Sequence, residues 1–218
     1  MKNFLKLAFL FCCILFMSPS LKGQTEPELG QFSFINCVAL PGNASLKING
    51  VALNPDGFKT GNYIQGGQYT VGAVSFLFEH NGAKPITQLI QIDKISSIIV
   101  IGYSETITKD NGETEQQLKL VVVPSVTKSG TTSYSGIYIS GNPSAKIEIN
   151  GKITTLEKLK ILKLKNGGGL KVTSVSATSD TVKGKSINFT PDRSGSYLLI
   201  VFDGPEGSPD FRLLQNSF

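Results

Sequence analysis

Displaced by 101 residues, the sequence falls back on itself without a gap. Ala44 meets Ala145, Ile48-Asn49-Gly50 meets Ile149-Asn150-Gly151, and Lys59 meets Lys160. Gly66-Gly67 then meets Gly167-Gly168, Val71 meets Val172, and Val74-Ser75 meets Val175-Ser176. Lys84, Ile86 and Ile99-Val100 meet Lys185, Ile187 and Ile200-Val201, which makes 14 identities in the 57 positions from 44 to 100. That is roughly three times the chance level for such a composition. The period is far longer than a solenoid repeat, so the chain is expected to hold two tandem copies of one small domain.

The opening residues read as an export signal. Met1-Lys2-Asn3 and Lys6 form a positive start, Leu7–Met17 is an apolar run, and Ser18-Pro19-Ser20 and Gly23 supply small and turn-forming residues. The run is too short to span a bilayer and fits a secretory signal peptide over residues 1–23. Cleavage is placed after Gly23, exposing Gln24, with Ser20 as the alternative. A lipoprotein anchor at Cys12 or Cys13 fits poorly, because Phe11 and Cys12 precede them where a small residue belongs. The expected destination is the periplasm, cell surface or medium, with no membrane-spanning segment in the mature chain.

From Gln24 onward the chain carries 18 basic and 16 acidic side chains, a net of +2. Residues 24–127 have a net of −3 and residues 128–218 a net of +5. Opposite signs on linked domains could promote docking or turn one of them toward an anionic surface; two independently drifted surfaces is the plainer reading. Cys37 is the one cysteine left after cleavage, in the apolar run Phe34–Val38, so no intramolecular disulfide can form and a buried inert thiol is expected.

Both repeats read as short β-rich runs between Gly, Asn and Pro. The first gives strands near Phe32–Val38, Ser45–Ile48, Gln68–Phe78, Ile86–Ile92, Ser97–Tyr103 and Gln117–Val123. The second gives Gly136–Ile139, Lys146–Ile149, Leu170–Ala177, Ser186–Phe189, Tyr197–Phe202 and Phe211–Leu214. Ile98–Ile101 and Leu198–Phe202 are unbroken apolar runs, the pattern of strands covered on both faces or central in a sandwich. Asn49-Gly50 and Asn150-Gly151 are hairpin signals. A slip in apolar phase, from Tyr69 and Val71 to Val74, Phe76 and Phe78, recurs from Leu170 and Val172 to Val175 and Ala177. A β-bulge would produce it, after a positive-φ turn at each double glycine.

Thr155–Lys165 looks helical in isolation, yet its counterpart Asn54–Ile64 contains Pro55, Gly57 and Gly61. Extended structure is therefore expected in both. The Ser/Thr/Gly stretch Pro124–Ser135 is the natural linker. The expected fold is all-β: two tandem antiparallel β-sandwich domains of immunoglobulin or prealbumin type, at 30–126 and 136–218 with residues 127–135 between them.

The order Ala44–Gly50 (ASLKING), Gly66–Val71 (GGQYTV), Ser97–Ser104 (SIIVIGYS) and Leu118–Val123 (LKLVVV) resembles a family of exported bacterial β-sandwich domains of unknown function, often in tandem on envelope proteins. The likeness spans about 95 residues of the first repeat and is weaker in the second. The chain departs from it at Val38–Gly42, where such domains commonly carry a His-x-Ser-Pro-Asp-type segment. The resemblance implies a fold and an exported location but no reaction.

Catalytic patterns are sparse. The single histidine, His80, sits in Glu79-His80-Asn81-Gly82 and reads as a solvated hairpin tip. One His and one Cys leave Ser-His-Asp and Cys-His sets without partners and rule out a His/Cys zinc site. Serine–lysine and paired-carboxylate chemistry stay open by composition but show no recognisable spacing. Lys109–Glu113 and Asp203–Asp210 have the oxygen-rich look of calcium loops without regular ligand spacing, and ordinary turns explain them. With no Trp, carbohydrate stacking would fall to Tyr63, Tyr103, Tyr134 or Tyr138, although tyrosine at strand ends commonly packs.

Lys158, Lys160, Lys163 and Lys165 form the one candidate anion-facing series, for phosphate, acidic glycan or lipid headgroups. A charged edge that discourages strand aggregation is the simpler explanation. Neither a cofactor nor nucleic acid is implied. The expected function is a non-enzymatic structural or adhesion module of the cell envelope, with an envelope glycan or protein as partner. The alternative is a glycan- or small-ligand-binding module that uses sandwich-end loops.

Overall fold

The computed structural model describes residues 27–94, 97–124, 131–176, 186–205, 207 and 209–215. The expected signal peptide, Ala177, Glu206 and Ser208 lie outside them. All elements among the described residues are strands. In the first repeat these are β1 (Leu29–Cys37), β2 (Ser45–Ile48), β3 (Val51–Ala52), β4 (Tyr63–Thr70), β5 (Gly72–His80), β6 (Ala83–Ile92), β7 (Ser97–Thr108) and β8 (Thr114–Pro124). In the second they are β9 (Ser133–Ile139), β10 (Ser144–Ile149), β11 (Lys152–Glu157), β12 (Leu162–Asn166), β13 (Leu170–Ser176), β14 (Ile187–Phe189), β15 (Ser196–Asp203) and β16 (Pro209–Gln215). Of the expected linker, residues 125–130 lie outside the described residues, and β9 begins at Ser133, where Tyr134 enters a core and the Ser133 and Ser196 hydroxyls meet at 3.2 Å.

The duplication survives as topology. The first repeat is a curled eight-stranded sheet of order β3-β2-β5-β6-β8-β7-β1-β4. The second forms two four-stranded sheets, β11-β10-β13-β14 and β12-β9-β15-β16, so each strand has the neighbours of its counterpart. The single parallel pairing of Lys84 with Gln117 joins the two flanks of the first repeat. The sheet β11-β10-β13-β14 is antiparallel throughout, but the other two are not: β1 with β7 and β9 with β15 run parallel, because each repeat returns beside its opening strand in the same direction.

Local geometry repeats at the Asn-Gly turns. Asn49 and Asn150 have φ of 47° and 50°, and Gly50 and Gly151 have φ of 83° and 79°, the left-handed pair that a tight twisted hairpin needs. Each asparagine side chain accepts a backbone N–H from the neighbouring strand, from Ser75 and Lys171 respectively, at 3.0 Å.

The gapless register does not hold throughout. Ile48 pairs with Phe76, whereas Ile149 pairs with Val172 rather than with the residue 101 beyond Phe76. In the first repeat the phase slip is a crossing between flanks, not a bulge. β4 pairs with β1, the chain turns at Gly72 with φ of 132°, and β5 pairs with β2 and β6. In the second repeat a bulge is present, since Glu148 faces Ser174 and Ile149 faces Val172. Positive φ is found at Gly66 in the first double glycine and at both residues of the second, in different places: Gly66 lies inside β4, while Gly167 and Gly168 connect β12 to β13.

Thr155–Lys165 is extended as expected, through the end of β11, a turn with Leu159 at φ of 60°, and β12. Its counterpart is largely turn, because Asn54 closes on Gly57 through a 3.0 Å backbone bond and only Tyr63 and Ile64 are strand.

Alternation along the strands builds three cores. Phe32 and Phe34 of β1, Leu46 and Ile48 of β2, Phe76 and Phe78 of β5, and Ile98 and Val100 of β7 fill the first repeat. Tyr134 and Tyr138, Ile147 and Ile149, Leu199 and Val201 fill the second. The third core lies between the repeats: Ile35 and Cys37, Ile99 and Ile101, and Val123 on one side meet Ile137 and Ile139, Ile200 and Phe202, and Leu214 on the other. The unbroken runs in β7 and β15 are thereby explained. Their even and odd residues serve different cores, so both faces are dry.

Gly102 of β7 leaves no room for a side chain in the first core. A Cβ there would lie 2.5 Å from the ring of Phe78, which is itself fully buried. Gly102→Ala is expected to cost about 1–3 kcal/mol by overpacking, read as a lower urea midpoint at unchanged slope.

Candidate functional site

The rim of the shared core is where side chains and open space coincide. Tyr63 opens edge strand β4 directly opposite Ile35, so it shares the face that Ile35 gives to the shared core. At the sheet edge its ring remains 47% exposed. On β16, Phe211 faces the core of the second repeat and Leu214 faces the shared core. Alternation therefore carries Arg212 to the same rim from the other side.

Arg212 is braced across the junction. Its Nε donates to the Gly61 carbonyl at 3.2 Å, and Nη1 donates to the Phe211 carbonyl at 2.9 Å and approaches Asp210 at 3.4 Å. Nη2 has no hydrogen-bond partner among the described residues. Gly61 has φ of 81°, and a Cβ on it would sit 3.0 Å from Nη2 and 3.3 Å from the Phe202 ring, so the approach requires glycine.

Two open recesses meet here and share Tyr63 and Arg212 as their common wall. One, of about 550 Å³, reaches toward Phe58 and Asn62; the other, of about 610 Å³, reaches toward Ser186 and Phe189. Both fall in the size range of small-ligand sites, which favour domain junctions.

The lysine series does not form one anion-facing cluster. Lys158 makes a 2.5 Å ion pair with Glu105 of the first repeat, and Lys160 pairs with Glu157. Lys165 donates to the Gly169 carbonyl at 2.6 Å, with its ammonium 6.0 Å from the centre of the Tyr134 ring. Lys163 is exposed on edge strand β12. A turn with Leu159 at φ of 60° separates Lys158 from Lys160, and the β12–β9 register shifts between Lys163 and Lys165.

His80 is not a solvated tip. Its Nδ1 accepts the Gly82 N–H at 2.9 Å, and its Nε2 is buried without a hydrogen-bond partner among the described residues. The reason is packing, since the hairpin end folds against the Leu40–Gly42 loop and a Cβ on Gly42 would lie 3.5 Å from Nε2. In the adjoining recess of about 300 Å³, Ser45 Oγ donates to Glu79 at 3.3 Å and Lys47 lies 2.7 Å from the same carboxylate. The Lys47 hydrogen bond holds the Glu79 carboxyl below its usual range. Ser45 thus faces a carboxylate and lacks the hydroxyl-to-amine bond of a Ser–Lys nucleophile.

Of the four tyrosines considered for stacking, Tyr103, Tyr134 and Tyr138 are buried and Tyr63 alone is exposed. Cys37 lies in the shared core, where burial pushes its thiol well above the usual range. The Lys109–Glu113 loop closes on itself through a 2.8 Å backbone bond, with the Asn111 side chain accepting the Glu113 N–H at 3.1 Å. Among the described residues no group of three or more His, Cys, Asp or Glu could hold a metal ion, and no helix is long and apolar enough to cross a membrane.

The sequence reading passed over Arg212. The available signal was rarity: the chain has two arginines, and this one interrupts an apolar strand. No family model matches the chain, and no curated protein matches it.

A second polar group closes the far end of the second core. Ser140 Oγ donates to Asp203 and accepts the Asn142 N–H at 3.1 Å, while Tyr138 is fully buried beside them. Burial raises the Asp203 carboxyl, partly opposed by the hydrogen bond from Ser140. A carboxyl raised on folding costs stability above its folded pKa, and that cost disappears below its unfolded pKa. Asp203→Asn is therefore expected to compare more favourably with wild type at neutral than at acid pH in paired urea titrations. A pH-independent difference would contradict it.

Proposed function

We propose that the chain is an exported, non-enzymatic structural or adhesion module of the bacterial cell envelope, in which two tandem β-sandwich domains of immunoglobulin or prealbumin type are docked into one rigid body. The observation that carries this reading is the third core. Twelve buried side chains make it up, and each apolar one is worth about 1.5–3 kcal/mol when removed from water. The ion pair of Lys158 with Glu105, partly exposed on both sides, adds at most about 1 kcal/mol. Docking is apolar, and the opposite net charges of the repeats are secondary.

A rigid pair of this kind suits a spacer or display element. Its surface is held at a fixed angle because neither repeat can turn without exposing Ile35, Ile101, Ile200 and Phe202. The dispersal of His80, Cys37 and the lysines supports the non-enzymatic reading, since a reaction needs such groups in one place. The resemblance to tandem envelope domains and the export signal supply the location.

The test is equilibrium unfolding of the chain from Gln24 onward. One cooperative transition is expected, coincident by far-ultraviolet dichroism and tyrosine fluorescence. Phe202→Ala, which opens the shared core, is expected to cost about 3–5 kcal/mol and to separate the transition into two steps. Two transitions in the wild-type chain would refute rigid docking. In the folded chain the Cys37 thiol is expected to resist alkylation until the repeats part.

A further inference from the structure

We propose that the groove at the junction of the repeats is a binding site for a short neutral oligosaccharide. It rests on the docked arrangement above, because Tyr63 comes from one repeat and Arg212 from the other. Three features select the ligand. The Tyr63 ring is the one exposed large aromatic among the described residues, and it stands in the shared wall of both recesses. An exposed phenol ring offers a flat apolar face with a polar rim, which matches the C–H face and hydroxyls of a sugar ring.

Around that ring the free polar groups are directional and uncharged overall. Among the described residues Arg212 Nη2 has no hydrogen-bond partner, while its other nitrogens are fixed by Gly61, Phe211 and Asp210. The guanidinium is thus pre-oriented, and its charge is offset by the adjacent carboxylate, which disfavours a purely ionic ligand. Asn62 in one recess brings an amide that both donates and accepts, and Ser186 in the other brings a hydroxyl. Vicinal sugar hydroxyls need such mixed partners. The two recesses, of about 550 Å³ and about 610 Å³, border the same Tyr63 ring and give room for more than one sugar ring.

Phe58 and Phe211, which line the groove, are committed to the cores of the repeats. The exposed Tyr63 ring set among donor and acceptor groups favours a sugar, and peptide binding is the competing outcome of the test.

The test is a glycan array, with a random peptide array alongside, probed with the chain from Gln24 onward at low and high salt. Wild type is compared with Tyr63→Ala and Asn62→Ala; neither residue belongs to the shared core. Saturable binding of a neutral glycan that persists at high salt and falls at least about tenfold in Tyr63→Ala is the expected result. No glycan binding, glycan binding indifferent to Tyr63, binding lost with salt, or binding of peptides alone would each overturn the proposal. Alkylation of Cys37 is followed in the same samples. A protected thiol with no binding condemns the groove, whereas a reactive thiol shows that the docked arrangement itself has failed.

Discussion

The packing of two sheet faces against each other, Ile35, Ile99 and Ile101 against Ile137, Ile200 and Phe202, is the contact on which the rest of the molecule depends. Each repeat on its own would leave one of those faces in water. For β7 and β15 that means strands with apolar residues on both sides and nowhere to hide half of them. Docking removes the problem for both repeats at once. It also places Cys37, fully buried, in a layer that neither repeat could form alone.

Several features that look independent follow from that layer. Gly61 is glycine because Arg212 and Phe202 of the other repeat press against it. Tyr63 is exposed because β4 is the outermost strand of its sheet and lies just past the margin of the shared core. The junction groove lies where Tyr63 of one repeat and Arg212 of the other border the shared core. Lys158 turns toward Glu105 for the same reason, and with it the lysine series loses its apparent unity.

The two repeats also show how duplication drifts. Strand order and the Asn-Gly hairpins are kept, since both are fixed by which edges can pair and by a backbone that needs left-handed residues at two adjacent positions. Register is not kept. The crossing between flanks occurs at Gly72 in one repeat and through Gly167–Gly169 in the other, and the identities at Val71, Val74 and Ser75 are therefore not matched in space. Inward-facing Gly102 admits the Phe78 ring, while the second repeat has a half-buried aspartate, Asp203, at the corresponding place.

The sequence by itself determined the strands, the duplication and the hairpin turns, because each is encoded within a few residues: alternation for a strand, Asn-Gly for a turn, an apolar run such as Ile98–Ile101 for a doubly covered strand. It also marked Tyr63, though in company with three tyrosines that prove to be buried. Only the tertiary structure decided which surface covers the second face of β7 and β15, where the lysines point, and that Arg212 stands beside Tyr63. Those facts join residues some 150 positions apart, as in the 3.2 Å bond between Arg212 and Gly61. A local pattern states that a face is apolar; it carries no address for the face that meets it.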